Sequence, residues 1–307
     1  MTSPHFVVIG ECVADVVRTD GAPDVVHPGG SPANVAYGLA RLGEPVALLT
    51  QLAEDPYGRL IRAHLESAGV TLLSGAEGAE GAEGTERAEG ADAPRTPSAV
   101  VRLDEQGRAQ YTFDIGWTLP PAELPFPPGH LHIGSIAAVT GPGAAAVLAL
   151  AERWRGRAGV SYDPNVRPAL MGEHGEAVRR VERCVGLADL VKASDEDLAR
   201  LYPGEDPEEV ARHWLGLGPA TVAVTRGPAG AFALTADGRR VEAPARTVEV
   251  ADTVGAGDAF TSALLHARRA GASLDTALAR ATAAATLTVT RPGANPPDAA
   301  ELASVLG

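Results

Sequence analysis

The chain is almost without lysine: Lys192 is the only one among 307 residues. A Walker A loop and the phosphate-contacting strand of a protein kinase each need a lysine in a fixed setting. Lys192 stands in DLVKASDED, after an apolar run and with no glycine-rich loop before it, so both of those nucleotide motifs are excluded. Cysteine is nearly as scarce. Cys12 and Cys184 are too few for a disulfide framework or a zinc site and read as two reduced, partly buried thiols. Basic charge is in deficit, with a net charge of −13 and a pI near 5.1. That excludes sequence-independent nucleic-acid binding, which needs a basic face, but leaves room for a small anionic ligand held by local dipoles. The start, MTSPHFVVIGE, shows neither a basic n-region nor a long apolar stretch, so no signal peptide is visible. The uncharged run 134–151 reaches membrane-spanning length, yet Ser135, Thr140, Pro142 and three glycines make it a buried strand, loop and helix. A cytoplasmic protein with no nucleic-acid or membrane partner is expected.

What is present is alternation. Apolar strand-like runs at 6–10, 45–52, 130–136, 159–164, 189–193 and 221–227 are separated by helical patterns at 32–42, 56–68, 142–155, 174–187 and 207–217. This order implies an α/β domain with a mostly parallel sheet covered on both faces. Two stretches break the rhythm. SAVVRLDEQGRAQYTFD (98–114) reads as a hairpin outside the main sheet, a lid or a sheet edge, and Val100, Val101, Tyr111 and Phe113 favour the lid because they need something to cover. Residues 74–95 repeat GAE three times with almost no large apolar side chain, too little to offset the entropy of ordering, and are expected to be a disordered acidic insertion. After 230 come a hairpin turning at Asp237-Gly238, a strand TVEV (247–250) and two Ala-rich helices, the first closed by Arg268, Arg269 and Gly271.

The chemistry concentrates in DTVGAGDAF (252–260). Its glycines are costly in a helix, about 1 kcal/mol each against alanine. Placed where a strand hands over to a helix, however, Gly255, Ala256 and Gly257 lack the bulk that would keep an anion from the free amides of the first turn. Asp258 beside such an anion hole repels phosphate but suits a base that takes the proton of an attacking hydroxyl. The nine residues alone leave a plain glycine-rich helix start equally open. A dinucleotide fingerprint is the rival: GAGDAF nearly fits G-x-G-x-x-A and GPGAAA (141–146) fits it, but neither has the acidic residue at the end of a second strand.

GGSPANVAYGLARLG (29–43) sets a glycine pair before a helix that opens with Ser31-Pro32 and carries Asn34 one turn in. Together with DTVGAGDAF it resembles the two signatures of the ribokinase-like, or PfkB, carbohydrate kinases, and the resemblance spans the chain apart from 74–95. It implies one domain over 1–307, a ribokinase-like three-layer sandwich with a small β-sheet lid formed near 11–28 and 98–114. It further implies ATP with Mg²⁺, and transfer of a phosphoryl group to a hydroxymethyl group of a sugar or nucleoside. By the same resemblance Asp258 is the catalytic base and Gly255, Ala256 and Gly257 the anion hole. Asp15, Gly29, Gly30 and Asn34 would hold the sugar, and Arg167 of DPNVR (163–167) would reach phosphate. Asn165, Ser194, Thr225, Gly227, Thr253 and Thr282 would border the nucleotide. Asp197, ending KASDED where the family pattern has a longer acid, would hold Mg²⁺ through water. Asp252 and the RPGANPP loop (291–297) would sit at a monovalent cation such as K⁺. Lid sheets pair in some members, so a homodimer through the lid is a further expectation.

For the acceptor, GGSPANVA, HIGSI and GECVADVV resemble fructokinases more than ribose-binding members, which points to fructose and fructose 6-phosphate. The alternatives are 2-keto-3-deoxygluconate, which shares the DPN-x-R segment but needs a partner for its carboxylate, and ribose or a nucleoside. Near Asp15 and Asn34 only Arg18 offers itself as that partner. A sugar-binding regulator without catalysis is a reading of another class, and retention of Asp258 beside a complete anion hole weighs against it.

Overall fold

The computed structural model describes residues 5–18, 23–74, 95–103 and 109–306. The repeat at 75–94 and the turn around Gly107 lie outside them, so the expectations on both fall outside the described residues. The apolar runs form strands. In chain order the elements begin β1 (Phe6–Ile9), β2 (Val13–Arg18), β3 (Val25–Gly29), α1 (Ser31–Arg41), β4 (Val46–Thr50), α2 (Pro56–Ser67) and β5 (Thr71–Ser74). Next come β6 (Ser98–Leu103), β7 (Ala109–Asp114), β8 (His130–Gly134), α3 (Ala144–Trp154), β9 (Gly159–Asp163), α4 (Pro168–Met171) and α5 (His174–Leu187). The chain then runs through β10 (Leu190–Ser194), α6 (Asp195–Leu201), α7 (Pro207–Leu215), β11 (Thr221–Thr225), β12 (Ala231–Thr235) and β13 (Arg240–Ala243). It closes with α8 (Ala256–Arg269), α9 (Leu274–Val289) and α10 (Ala299–Leu306).

Nine strands make the main sheet in the order β13-β12-β11-β10-β9-β8-β1-β4-β5, all running in one direction except β12, which is antiparallel to both of its neighbours. All four residues of β1 are buried, which is what a strand covered on both faces requires. Helices α3, α5, α6 and α7 bury one apolar cluster against one face; α1, α2, α8 and α9 bury two others against the opposite face. Helix α5 shows why: Ala177, Val181, Cys184 and Val185 fall on one stripe, and Glu173 caps its start by accepting from the amides of Gly175 and Glu176. Both thiols are fully buried rather than partly so, and burial pushes each to a pKa of about 12. Among the described residues no helix is long and apolar enough to cross a membrane; the run 134–151 is the end of β8, a turn and α3.

The second sheet has four strands in the order β3-β2-β6-β7, so the 98–114 hairpin joins the 11–28 segment as one lid rather than extending the main sheet. Two expectations need correction. Residues 244–250, including TVEV, form no strand: β13 ends at Ala243, no neighbour pairs with the segment, and Val248 and Val250 are exposed where the segment borders the cleft described below. Its alternation of side chains resembles a strand, but hydrogen-bond partners are what make one. The C-terminal part also holds a third helix, α10, beyond the two expected.

Candidate active site

Strand β1 has β4 and β5 on one side and β8 to β11 on the other, so the direction of winding reverses between β1 and β8. Ligands of open α/β sheets bind outside the carboxyl ends of the strands at such a point. A cleft of about 760 Å³ lies there, lined by Glu11 after β1, Ser135 after β8, Ser194 at the end of β10 and Thr225 at the end of β11. Val13, Asp15, Ala99 and Phe113 of the lid sheet line its other side.

Helix α8 points its first turn into this cleft. Gly255 precedes it with φ of 74°, a left-handed conformation that favours glycine, and offers no side chain to cap the helix. No side chain caps the first turn, whose Ala256 amide is shared with the Thr253 carbonyl at 3.3 Å, and Gly255, Ala256, Gly257 and Asp258 all line the cleft. Asp258 is not held by its own helix. Ser31 donates its hydroxyl to one carboxylate oxygen at 2.6 Å, and Asn34 donates its side-chain amide to the other at 2.8 Å. Close packing of α1 on α8 brings the two helix starts together: a Cβ on Gly38 would lie 2.4 Å from the Ser262 hydroxyl. The two signature motifs thus form one site through direct hydrogen bonds.

Beneath the small sheet, Asp15 and Gly30 line the cleft with Asn34, whereas Gly29 does not. Gly29 instead makes room for Asp15, since a Cβ there would lie 2.1 Å from that carboxylate. Burial raises the Asp15 pKa to about 6, opposed by the charges of His27 and Arg167. That neighbour corrects the sequence reading. Arg18 is tied to Asp24 by a bidentate ion pair at the lid surface, and Arg167 is the cleft-lining arginine whose charge acts on Asp15.

On the other side, Asn165, Arg167, Ser194, Asp197, Thr225, Gly227, Thr253 and Thr282 all line the same cleft. Asn165 has φ of 38°, tolerable for asparagine, and its amide donates to Asp163. The buried Thr282 hydroxyl has no partner among the described residues. Asp197 is heavily engaged: it accepts from the Val166 amide at 2.8 Å, the Ser194 amide at 3.0 Å and the Ser194 hydroxyl at 2.7 Å. Of about four acceptor positions on a carboxylate, three are taken. Asp252 lies away from the cleft lining and ties the segment before α8 to the 291–297 loop, accepting from the amides of Val254 and Gly293. Among the described residues no cluster of three or more His, Cys, Asp or Glu side chains could hold a metal by itself.

Sequence reasoning missed Ser31, Glu11 and the Lys192–Asp163 pair as members of this site. Ser31 was detectable as a hydroxyl at the start of a helix whose preceding residue is already glycine. Glu11 is 2% exposed, accepts from the Ala137 amide at 3.1 Å and has its pKa pushed to about 7 by burial. Its place, just past the carboxyl end of the first strand, was the available signal. Lys192 donates to Asp163 at 3.0 Å across two adjacent strands, a pairing that needs the strand order to be seen.

A mostly parallel sheet with a switch-point cleft beneath a smaller β-sheet, and a carboxylate held at the cleft by two helix starts, are the setting of an α/β protein that binds a small ligand. The chain belongs to the pfkB family of carbohydrate kinases, whose family model matches residues 3–300. A fructokinase of Klebsiella pneumoniae is 34% identical over 266 residues, covering 84% of this chain and 82% of that one. An aminoimidazole riboside kinase of Salmonella typhimurium is 31% identical over 304 residues, covering 94% and 89%. A fructokinase double mutant from Vibrio cholerae O395, solved in a fructose-, ADP- and potassium-bound form, superposes with a TM-score of 0.81 at 28% identity, covering both chains fully. The fold is the ribokinase-like sandwich, and the protein is a sugar kinase.

Proposed function

We propose that this kinase transfers the γ-phosphate of ATP to the hydroxymethyl group of fructose, giving fructose 6-phosphate. The observation that carries the reading is Asp258, a carboxylate at the mouth of a helix N-terminus, held by Ser31 and Asn34 from the opposing helix. A sugar hydroxyl entering beside it gives up its proton to Asp258 as its oxygen attacks phosphorus. The amides of Gly255 to Gly257 receive the negative charge of the phosphoryl oxygens. Asp15 and Asn34, with Gly29 and Gly30 making space, hold the remaining hydroxyls, and the lid excludes water. Thr225, Gly227, Thr253 and Thr282 border the nucleotide, with Asn165 and Ser194 nearer its phosphates and Arg167 over them.

Mg²⁺ fits this donor set only as a passenger of the nucleotide: the one remaining acceptor position of Asp197 suits contact through water. The ion supplies neutralisation of phosphate charge. A monovalent cation beside the 291–297 loop, which Asp252 ties to the start of α8 through the amides of Val254 and Gly293, belongs to the same reading, and the potassium-bound form of a relative supports such a cation. Pairing of two lids through their edge strands β3 and β7 belongs to the same reading, and light scattering tests it.

Arg167 beside Asp15 favours one second acceptor, 2-keto-3-deoxygluconate, whose carboxylate a guanidinium fork suits. An ATP-turnover assay over fructose, glucose, ribose, nucleosides and keto-deoxygluconate decides. Fructose is expected to lead by kcat/KM. Faster turnover of the sugar acid reverses the choice of acceptor, and turnover of none removes the proposed reaction.

A further inference from the structure

The ammonium of Lys192 is the unusual group in this site. It is 5% exposed and lines the cleft, and among the described residues its one hydrogen-bond acceptor is Asp163. An ammonium carries three donors, so two have no acceptor among the described residues. A buried cation left two-thirds unsatisfied is costly unless a ligand completes it.

Its position says which ligand. A Cβ on Gly257 would lie 2.9 Å from Nζ, so the ammonium abuts the backbone of the anion hole itself. The other basic side chains lining the cleft, Arg167, Arg200 and Arg246, are all exposed. Lys192 is therefore the buried positive charge at the floor, set among Asp163, Asp197 and Asp258. Burial opposes its charge, but those three carboxylates outweigh burial and hold its pKa above the ordinary lysine value. The glycine at 257 has a second use here, because any side chain would strike the ammonium.

We propose that Lys192 is a phosphoryl-contacting residue, donating its two free protons to oxygens of the group that passes from a nucleoside triphosphate to the sugar. The assignment rests on the kinase reading above and adds a side-chain donor to its backbone anion hole. In the step, the acceptor oxygen bonds to the γ-phosphorus and its proton passes to Asp258. The bond from that phosphorus to the β–γ bridging oxygen breaks, and its electron pair leaves with the nucleoside diphosphate. Lys192 keeps its protons throughout and offsets charge that the surrounding carboxylates would otherwise repel.

The test compares the full-length wild type with Lys192→Met and with Lys192→Met/Asp163→Asn, in which the buried carboxylate is neutralised with its partner. The double variant is expected to melt near the wild type yet to keep kcat down by about 10²-fold or more, with sugar KM little changed. Binding gives a readout independent of turnover. The non-hydrolysable β,γ-imido analogue of ATP should weaken about tenfold or more in both variants while ADP binds as before. A double variant with wild-type kcat and unchanged preference for the analogue over ADP would make Lys192 a structural partner of Asp163 and overturn the proposal. If the wild type phosphorylates no sugar, the kinase reading falls while the analogue-against-ADP comparison still decides Lys192.

Discussion

Two helices of this protein begin at the cleft with an aspartate at the third position after the cap, and they use it in opposite ways. In α6 the cap is Ser194, whose hydroxyl accepts from the Asp197 amide, while the Asp197 carboxylate folds back onto Ser194. In α8 the cap is Gly255, which has nothing to offer, and Asp258 turns outward to Ser31 and Asn34 of α1. The same residue at the same helical position is a clasp on its own helix in one case and a link to a second helix in the other, where the proposed reaction makes it the reactive group. The choice is made by the cap residue, not by the acid.

Removing each acid should separate the two roles most sharply. Asp258→Asn is expected to lower kcat by about 10²–10⁴-fold while sugar and ATP still bind, as loss of a general base does. Asp197→Asn should lower kcat by no more than about tenfold, because any cation contact there runs through water, and should cost about 1 kcal/mol of stability through the lost cap. Steady-state kinetics with calorimetric binding checks both. An Asp258→Asn enzyme retaining more than a tenth of the wild-type rate would remove Asp258 from the base role.

Gly257→Ala comes next. The new methyl group meets Lys192 at 2.9 Å, and a flexible ammonium can withdraw, so the fold should survive with little change in melting temperature. The anion hole should not: a displacement of about 1 Å at such a site can cost 10²-fold in rate. Loss of kcat without loss of fold is the expected pattern, and wild-type kcat would show that the floor of the hole tolerates bulk.

The contrast also explains what was legible beforehand. Strand and helix positions followed from periodicity, and the hairpin outside the main sheet followed from alternation at 98–114, because these are local signals. TVEV failed since its alternation is local while pairing is not. The paired signatures marked Asp258 and Asn34, but their hydrogen bond joins residues far apart in the chain and exists only once α1 and α8 pack. Lys192 was noticed for its rarity, and its partner Asp163 lies on the neighbouring strand. The pairing became visible only with the strand order, and the closeness of Lys192 to Gly257 only with the packing of α8.

Glu11 tests the cleft floor through pH. Its ordinary value of 4.5 is raised to about 7 by burial, opposed by hydrogen bonds from Ser135 and Ala137. Between those values the unfolded chain releases a proton that the folded protein keeps, so stability from this group is full below about pH 4.5. It declines as pH rises and is gone above about pH 7. A shift of this size corresponds to roughly 3 kcal/mol. Glu11→Gln should therefore flatten the fall in melting temperature over that window and melt higher than the wild type at pH 8. An unchanged slope would place the titration elsewhere.

The smallest effect is expected where the comparison began. Ser194→Ala deletes one half of the clasp on α6, and caps of this kind are worth about 0.5–2 kcal/mol. The Asp197 carboxylate keeps the amides of Val166 and of residue 194 itself, so it should stay in place and the loss should fall near 1 kcal/mol, seen as a modest drop in melting temperature. Any change in activity should appear in the KM for ATP rather than in kcat, since the proposed reading sets Ser194 beside the phosphates while Asp258 and the α8 amides are untouched. A fall in kcat comparable to that of Asp258→Asn would mean that the two helix starts are not opposite devices, and that the clasp too takes part in phosphoryl transfer.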